Sequence, residues 1–192
     1  IMIGSKTKLF ALAAAAAVIF TAGTATAQTV SVTADAVVQN TLTLTKNSDL
    51  NFGTITALGD DANTQSATYH VNPDGSQDVP VNAGLAQIAV IDASAVTAAD
   101  IDIADGAPGA TINVTIQNVT DLTDGTDTLL LTDFETSYNG GADVSRTAGT
   151  PFTRTFVGPT DSLLIGASVE TSGDGPLGDG NYSGGFDVVF SY

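Results

Sequence analysis

One histidine, His70, and no cysteine make up the stock of soft metal-ligating side chains in this 192-residue chain. Zinc sites rest on clusters of Cys and His, which argues against a zinc centre. A Ser-His-Asp hydrolase would have to recruit His70 from the alternating stretch Ala67-Thr68-Tyr69-His70-Val71, and no serine stands in a Gly-x-Ser-x-Gly context. A lone histidine on a strand reads as structural, so the chain reads as a non-enzyme.

Carboxylates are plentiful. Asp60 neighbours Asp61, Asp100 lies near Asp102 and Asp105, Asp121 near Asp124 and Asp127, and Asp174 near Asp179. A glycosidase would set such a pair in an aromatic-lined cleft, but there is no tryptophan and aromatics are only 6% of the chain. Calcium takes about six to eight oxygens, and "DLTDGTDT" and "GDGPLGDGN" offer them. The candidate calcium ligands are therefore Asp121, Asp124, Asp127, Asp174 and Asp179. Neither stretch has the Asp-x-Asx-x-Asx-Gly spacing, which leaves a solvated turn as the competing reading. No other cofactor is expected. Asn113, Asn118 and Asn181 fit the glycosylation sequon, a weak three-residue pattern.

The compartment is written in the first residues. Lys6 and Lys8 precede an apolar run over 9 to 20, then Ala25-Thr26-Ala27 in the small-x-small arrangement of a cleavage site. The run is shorter than the ~20 residues that span a bilayer. Residues 1 to 27 are expected to form a helical signal peptide, leaving no membrane span after cleavage. The mature chain is then secreted, in the periplasm in transit and afterwards at the cell surface or in a fimbrium. It carries 21 acidic residues against Lys46, Arg146 and Arg154, a net charge of −18. Nucleic acid and anionic lipid both need a basic footprint and are poor partners for it.

The elements that must position any site are strands. Thr, Val, Ile, Gly and Asn dominate, and apolar residues alternate in short runs between turn clusters, as in an all-β sandwich. Strands are predicted near residues 30 to 36, 41 to 45, 50 to 55, 67 to 71, 78 to 81, 87 to 91, 111 to 116, 129 to 138, 152 to 157, 161 to 169 and 185 to 192. A short helical turn at 93 to 99 competes with a loop or short strand. Turns are predicted at Asn72-Pro73-Asp74-Gly75 and Asn139-Gly140-Gly141, and a loop at 174 to 180. At the start of the mature chain Val30, Val32, Ala34, Ala36 and Val38 share one strand face. At the other end Phe186, Val188, Phe190 and Tyr192 do the same. The organisation is a signal at 1 to 27, a strand arm at 28 to 45 and a sandwich at 46 to 192.

"LNFGTI" at 50, "ADGAPGATINVTI" at 104, "LLLTDFETSYNGG" at 129, "LLIGASV" at 163 and the closing "GNYSGGFDVVFSY" occur in this order. Together they resemble a family of small secreted bacterial domains of unknown function, related to spore-coat-protein-U-like and chaperone-usher fimbrial subunits. The resemblance implies an immunoglobulin-like antiparallel β-sandwich that lacks one strand. It further implies that a periplasmic chaperone, and then the N-terminal extension of the next subunit, fills the resulting groove by strand addition. The chain departs from that pattern in having no disulfide. On this resemblance the protein is expected to be a structural subunit of a pilus, fibre or coat, polymerised head-to-tail with copies of itself and served by a chaperone and an outer-membrane usher. The alternative is a self-complemented monomeric adhesin or binding module, stabilised by calcium.

Overall fold

The computed structural model describes residues 33 to 35, 41 to 60, 62, 64 to 172 and 175 to 192. The expected signal helix, the arm positions Val30, Val32, Ala36 and Val38, and Asp174 lie outside the described residues. Ala34 is exposed and belongs to no strand or helix.

From Thr43 onward the fold is all-β, and no helix occurs among the described residues. Eleven strands follow in order: β1 Thr43–Ser48, β2 Thr54–Leu58, β3 Thr68–Val71, β4 Gln87–Asp92, β5 Ala99–Ala104 and β6 Thr111–Thr123. β7 Thr128–Tyr138, β8 Val144–Arg146, β9 Phe152–Thr155, β10 Thr160–Thr171 and β11 Ser183–Ser191 complete them. Every pairing is antiparallel, in the order β1-β5-β10-β7-β6-β11, with β3 on β10, β8 on β7, β9 on β6, and β2-β4 as a separate ribbon. β6 and β7 touch only at their hairpin, through Leu122 with Leu129 and Thr123 with Thr128. Beyond it they diverge, so β1-β5-β10-β7-β8 forms one layer and β11-β6-β9 the other, a sandwich-like arrangement.

Side-chain alternation explains the layers. Ile112, Val114 and Ile116 of β6 and Leu163, Ile165, Ala167 and Val169 of β10 are at most 1% exposed, and the residues between them face outward or a neighbouring strand. β10 is the spine: its first half pairs with β5 and its second half, on the same edge, with β3. At the handover, a Cβ on Gly166 would lie 2.1 Å from the Val71 carbonyl oxygen, so only glycine fits.

Several expectations are corrected. Of the readings offered for 93 to 99, the loop leading into a strand holds and the helical turn does not: the Val96 N–H closes a turn on Ala93 at 3.1 Å. The chain then enters β5, where Ile101 and Ile103 alternate with Asp100 and Asp102 and the aspartates point out of the core. Residues 78 to 81 make one isolated bridge, Val81 with Thr68, just after that of Gln77 with Val71, in a segment where Pro80 has no N–H to give. β8 carries no alternation long enough to be read. β6 runs on to Thr123, past a register irregularity where Asn118 has a φ of 52°. Residues 43 to 45, expected in the arm, form the start of β1 and pair with β5. Both predicted turns are present, with Gly75 N–H donating to Asn72 at 2.9 Å and Gly141 N–H to Tyr138 at 3.0 Å.

Candidate functional site

A sandwich has two lateral sides, and here they are built differently. On one side β8 and β9 fill the gap where β6 and β7 diverge. Residues opposite each other in an antiparallel pair share a face, so Arg146 opposite Phe134, and Phe152 and Arg154 opposite Val114 and Ile112, all point between the layers. The Arg146 guanidinium lies 4.0 Å from the Phe152 ring centre, and Arg154 lies 5.3 Å from Phe152 and 5.9 Å from Tyr138. The Tyr138 hydroxyl donates to Asp161, whose carboxylate also accepts from the Val157 N–H at 2.8 Å and the Gly158 N–H at 3.1 Å. Burial pushes the Asp161 carboxyl up, but these hydrogen bonds outweigh it and hold it below its ordinary value. Burial, with the Asp161 hydrogen bond and charge, pushes the Tyr138 phenol well above its own.

The other side is open. β11 pairs with β6 along one edge, and among the described residues no strand pairs with its second edge. Across the gap lie β1, paired among the described residues only with β5, and the segment 49 to 58 containing β2. Between them runs a groove of about 1110 Å³. Its floor is the core itself, Leu129, Leu131 and Val169, and its walls include Leu44, Leu50, Ile55, Phe186, Val188 and Phe190. Phe186, Val188 and Phe190 pack on the core but stay only half-buried, because nothing among the described residues covers them from the groove side. Phe186 meets Phe134 edge-on at 5.1 Å. Leu44, which the alternation assigns to a core face, is 45% exposed here.

Three of the C-terminal candidates therefore converge on the groove. Tyr192 does not: it lies beyond the last residue of β11, is 43% exposed and does not line the groove. The opposite wall, Leu50, Ile55, Ala57, Leu177 and Tyr182, escapes sequence reasoning as a site; its only signal is apolar residues flanking glycines in "LNFGTI" and "PLGDGNY".

The acidic loops close one end of this side. Asp124 Oδ1 accepts the N–H groups of Asp127 and Thr126 at 2.9 and 2.8 Å, which lowers its pKa. Asp121 Oδ1 accepts the Leu131 N–H at 2.9 Å, and Asp127 Oδ2 accepts the Gly178 N–H at 2.7 Å and the Tyr182 hydroxyl at 3.4 Å. Asp121 and Asp124 thus brace the β6–β7 hairpin internally, and Asp127 staples it to the loop before β11. Burial and the charges of Asp124, Asp127 and Asp179 raise the Tyr182 phenol. Among the described residues no group of three or more His, Asp or Glu side chains is placed to hold a metal ion.

His70 lies on the outer face of the main layer, away from the groove, with Nδ1 2.9 Å from Ser168 Oγ and Nε2 3.5 Å from Glu135 Oε2. Nothing in the sequence marks Ser168 as its neighbour; the two are brought together by the register of β3 on β10.

Residues 42 to 192 match the family model described as a domain of unknown function, DUF4402. No curated protein matches the chain. The chain belongs to the DUF4402 family.

Proposed function

We propose that this DUF4402 domain is a non-enzymatic structural subunit of a bacterial surface fibre, pilus or coat, an immunoglobulin-like sandwich that assembles by β-strand addition. The observation that carries the reading is the apolar groove beside the unpaired edge of β11. A strand laid there gains backbone hydrogen bonds along β11, and its alternate side chains reach the core. Val30, Val32, Ala34, Ala36 and Val38 have the spacing to do so, and each buried valine contributes roughly 1.5–3 kcal/mol. In this reading the arm of one secreted copy fills the groove of the next, after a periplasmic chaperone has held the groove and an outer-membrane usher has passed the subunit to the surface. The contact is heterologous, so it propagates into a filament.

One observation favours a second reading, a self-complemented monomeric surface module. Among the described residues β1 also has an unpaired edge on the groove, and residues 39 to 42 are a hairpin-length link between the arm and β1. Strand direction separates the two. β11 starts at the β6–β7 hairpin, Ser183 opposite Thr123, and runs away from it. β1 starts at the far end, where Ala104 faces both Thr43 and Thr160, and runs back toward the hairpin. An arm folded onto its own β1 must run parallel to β11, whereas an arm from another copy is free to run antiparallel.

The absence of cysteine makes the test clean. In the double variant Ala34→Cys, Val188→Cys, oxidation should give a ladder of covalent multimers on a non-reducing gel. A monomer with an internal disulfide would replace the fibre reading with the self-complemented one.

A further inference from the structure

The geometry points to the cleft at His70 as a binding site for a neutral, polyhydroxylated ligand the size of a saccharide unit, on the flank of the domain and separate from the groove. The cleft encloses about 570 Å³, within the roughly 300–1,000 Å³ of small-molecule sites. Its floor holds His70 on β3 and, opposite it, Ser168 on β10; Thr132 on β7 continues the same register row but does not line the cleft. Val79 and Val81, 86% and 65% exposed, stand on one wall, and Ser145, Arg146 and Thr147 on the other.

Two further features set this row apart from an ordinary polar sheet face. The β7 register shifts between the partners of Gly166 and Ser168, and within that bulge Asp133 sits at a φ of 46°, a left-handed conformation uncommon for a non-glycine residue. The bulge sets Asp133 among the residues lining the cleft. Left-handed strain at a bulge is a mark of functional positions. In addition, His70 Nε2 is buried without a hydrogen-bond partner among the described residues, its facing acceptor, Glu135 Oε2, standing 3.5 Å away. Such orphaned groups are rare in folded proteins.

The chemistry of the row selects the ligand. If Ser168 donates to His70 Nδ1, then Nε2 carries the proton and needs an acceptor; in the other tautomer it needs a donor. A hydroxyl serves both. Beside Nε2 it meets the ring with its oxygen or its proton, and neighbouring hydroxyls donate to Glu135, Asp133 and Asp78. These three carboxylates reject an anion. A cation is drawn by them but offers no acceptor to Nε2–H in the first tautomer, and the Arg146 guanidinium is turned inward over Phe152. The exposed valines offer apolar contact to the C–H face of a sugar ring.

Because His70 is the only histidine, its two ring protons give an unambiguous NMR signature in the whole secreted chain. Titration at matched ionic strength would use D-glucose, D-galactose and D-mannose, with n-butylammonium chloride and sodium acetate as the cationic and anionic probes. A saturable shift of the His70 signals with at least one hexose and with neither salt is expected. Asp133→Gly suits the left-handed backbone, so it should keep or raise Tm while weakening hexose binding by about tenfold, and Glu135→Gln should weaken it similarly. No saturable shift with any of the three hexoses, a shift with the ammonium ion alone, or native affinity in Asp133→Gly would each overturn the proposal.

Discussion

The two lateral sides of this sandwich face the same problem and solve it in opposite ways. Where β6 and β7 diverge, the gap is closed from within by the stack of Arg146, Phe152, Arg154 and Tyr138 and by the hydrogen bonds on Asp161. Between β11 and β1 no side chain among the described residues closes the gap, and Phe186, Val188 and Phe190 stay half-uncovered above a buried core. Charged and aromatic side chains thus complete the side that stays internal. Half-covered apolar side chains, Leu44, Leu50, Ile55, Phe186, Val188 and Phe190, border the side that is left open. The groove is therefore a local feature of one edge, since the opposite edge of the same layers is well packed.

The largest effects should come from the groove. Removing residues 28 to 38 should abolish polymer formation, seen by electron microscopy and size-exclusion chromatography, while the remaining domain keeps its Tm; normal fibres would refute the donor role of the arm. Placing a charge on the groove side of β11, Val188→Asp, should likewise eliminate assembly with a small change in domain stability, because the position is already half-exposed.

The closed side should respond in the reverse sense, with stability falling while assembly interfaces stay intact. Asp161→Ala removes the acceptor of three hydrogen bonds at a site 2% exposed, and should cost about 3 kcal/mol in urea unfolding. The pH dependence has a definite sign. The folded-state pKa of Asp161 is depressed below the ordinary 3.8, so its contribution is present above that value and is lost as pH falls through the lower folded value. Tyr138 is the mirror case: its raised pKa means a contribution present below the ordinary 10.0 and lost as pH climbs toward the folded value. Asp161→Asn should flatten the acid limb, and Tyr138→Phe the alkaline one. A smaller effect, about 1–2 kcal/mol, is expected for Arg146→Ala, which loses its place over Phe152 and its bond from Nε to Thr136 Oγ1 at 2.9 Å.

The smallest expected change is at the acidic end of the groove side. Asp124→Asn should move the alkaline titration of Tyr182 down toward 10.0 by removing one of the charges that raise it, with little effect on unfolding. Ultraviolet difference spectra would follow it, and an unchanged titration would show that Asp124 does not act on the phenol.

Much of the fold can be read from alternation alone. β7, β10 and β11 have long two-residue periods with large apolar side chains, and each lies within a few residues of its expected place. β5 is obscured because its outward positions are aspartates and its flank is alanine-rich, a composition that also suits a helical turn. The groove is only half legible. Phe186, Val188 and Phe190 announce themselves by spacing, but Leu50, Ile55 and Leu177 become neighbours of β11 only through tertiary folding. The His70 row is not legible, because a strand register, not a sequence distance, puts Ser168 and Glu135 beside it.

The antiparallel ladder that joins β1 to β5 has a mechanical consequence. It begins at Thr43 and continues through Lys46 without a break, side by side with Ala104 to Ile101. Tension applied ahead of Thr43, along the strand axis, loads these rungs in shear, so they resist together and must yield together. Detaching β1 by pulling would therefore take far more force than peeling the same strand away sideways.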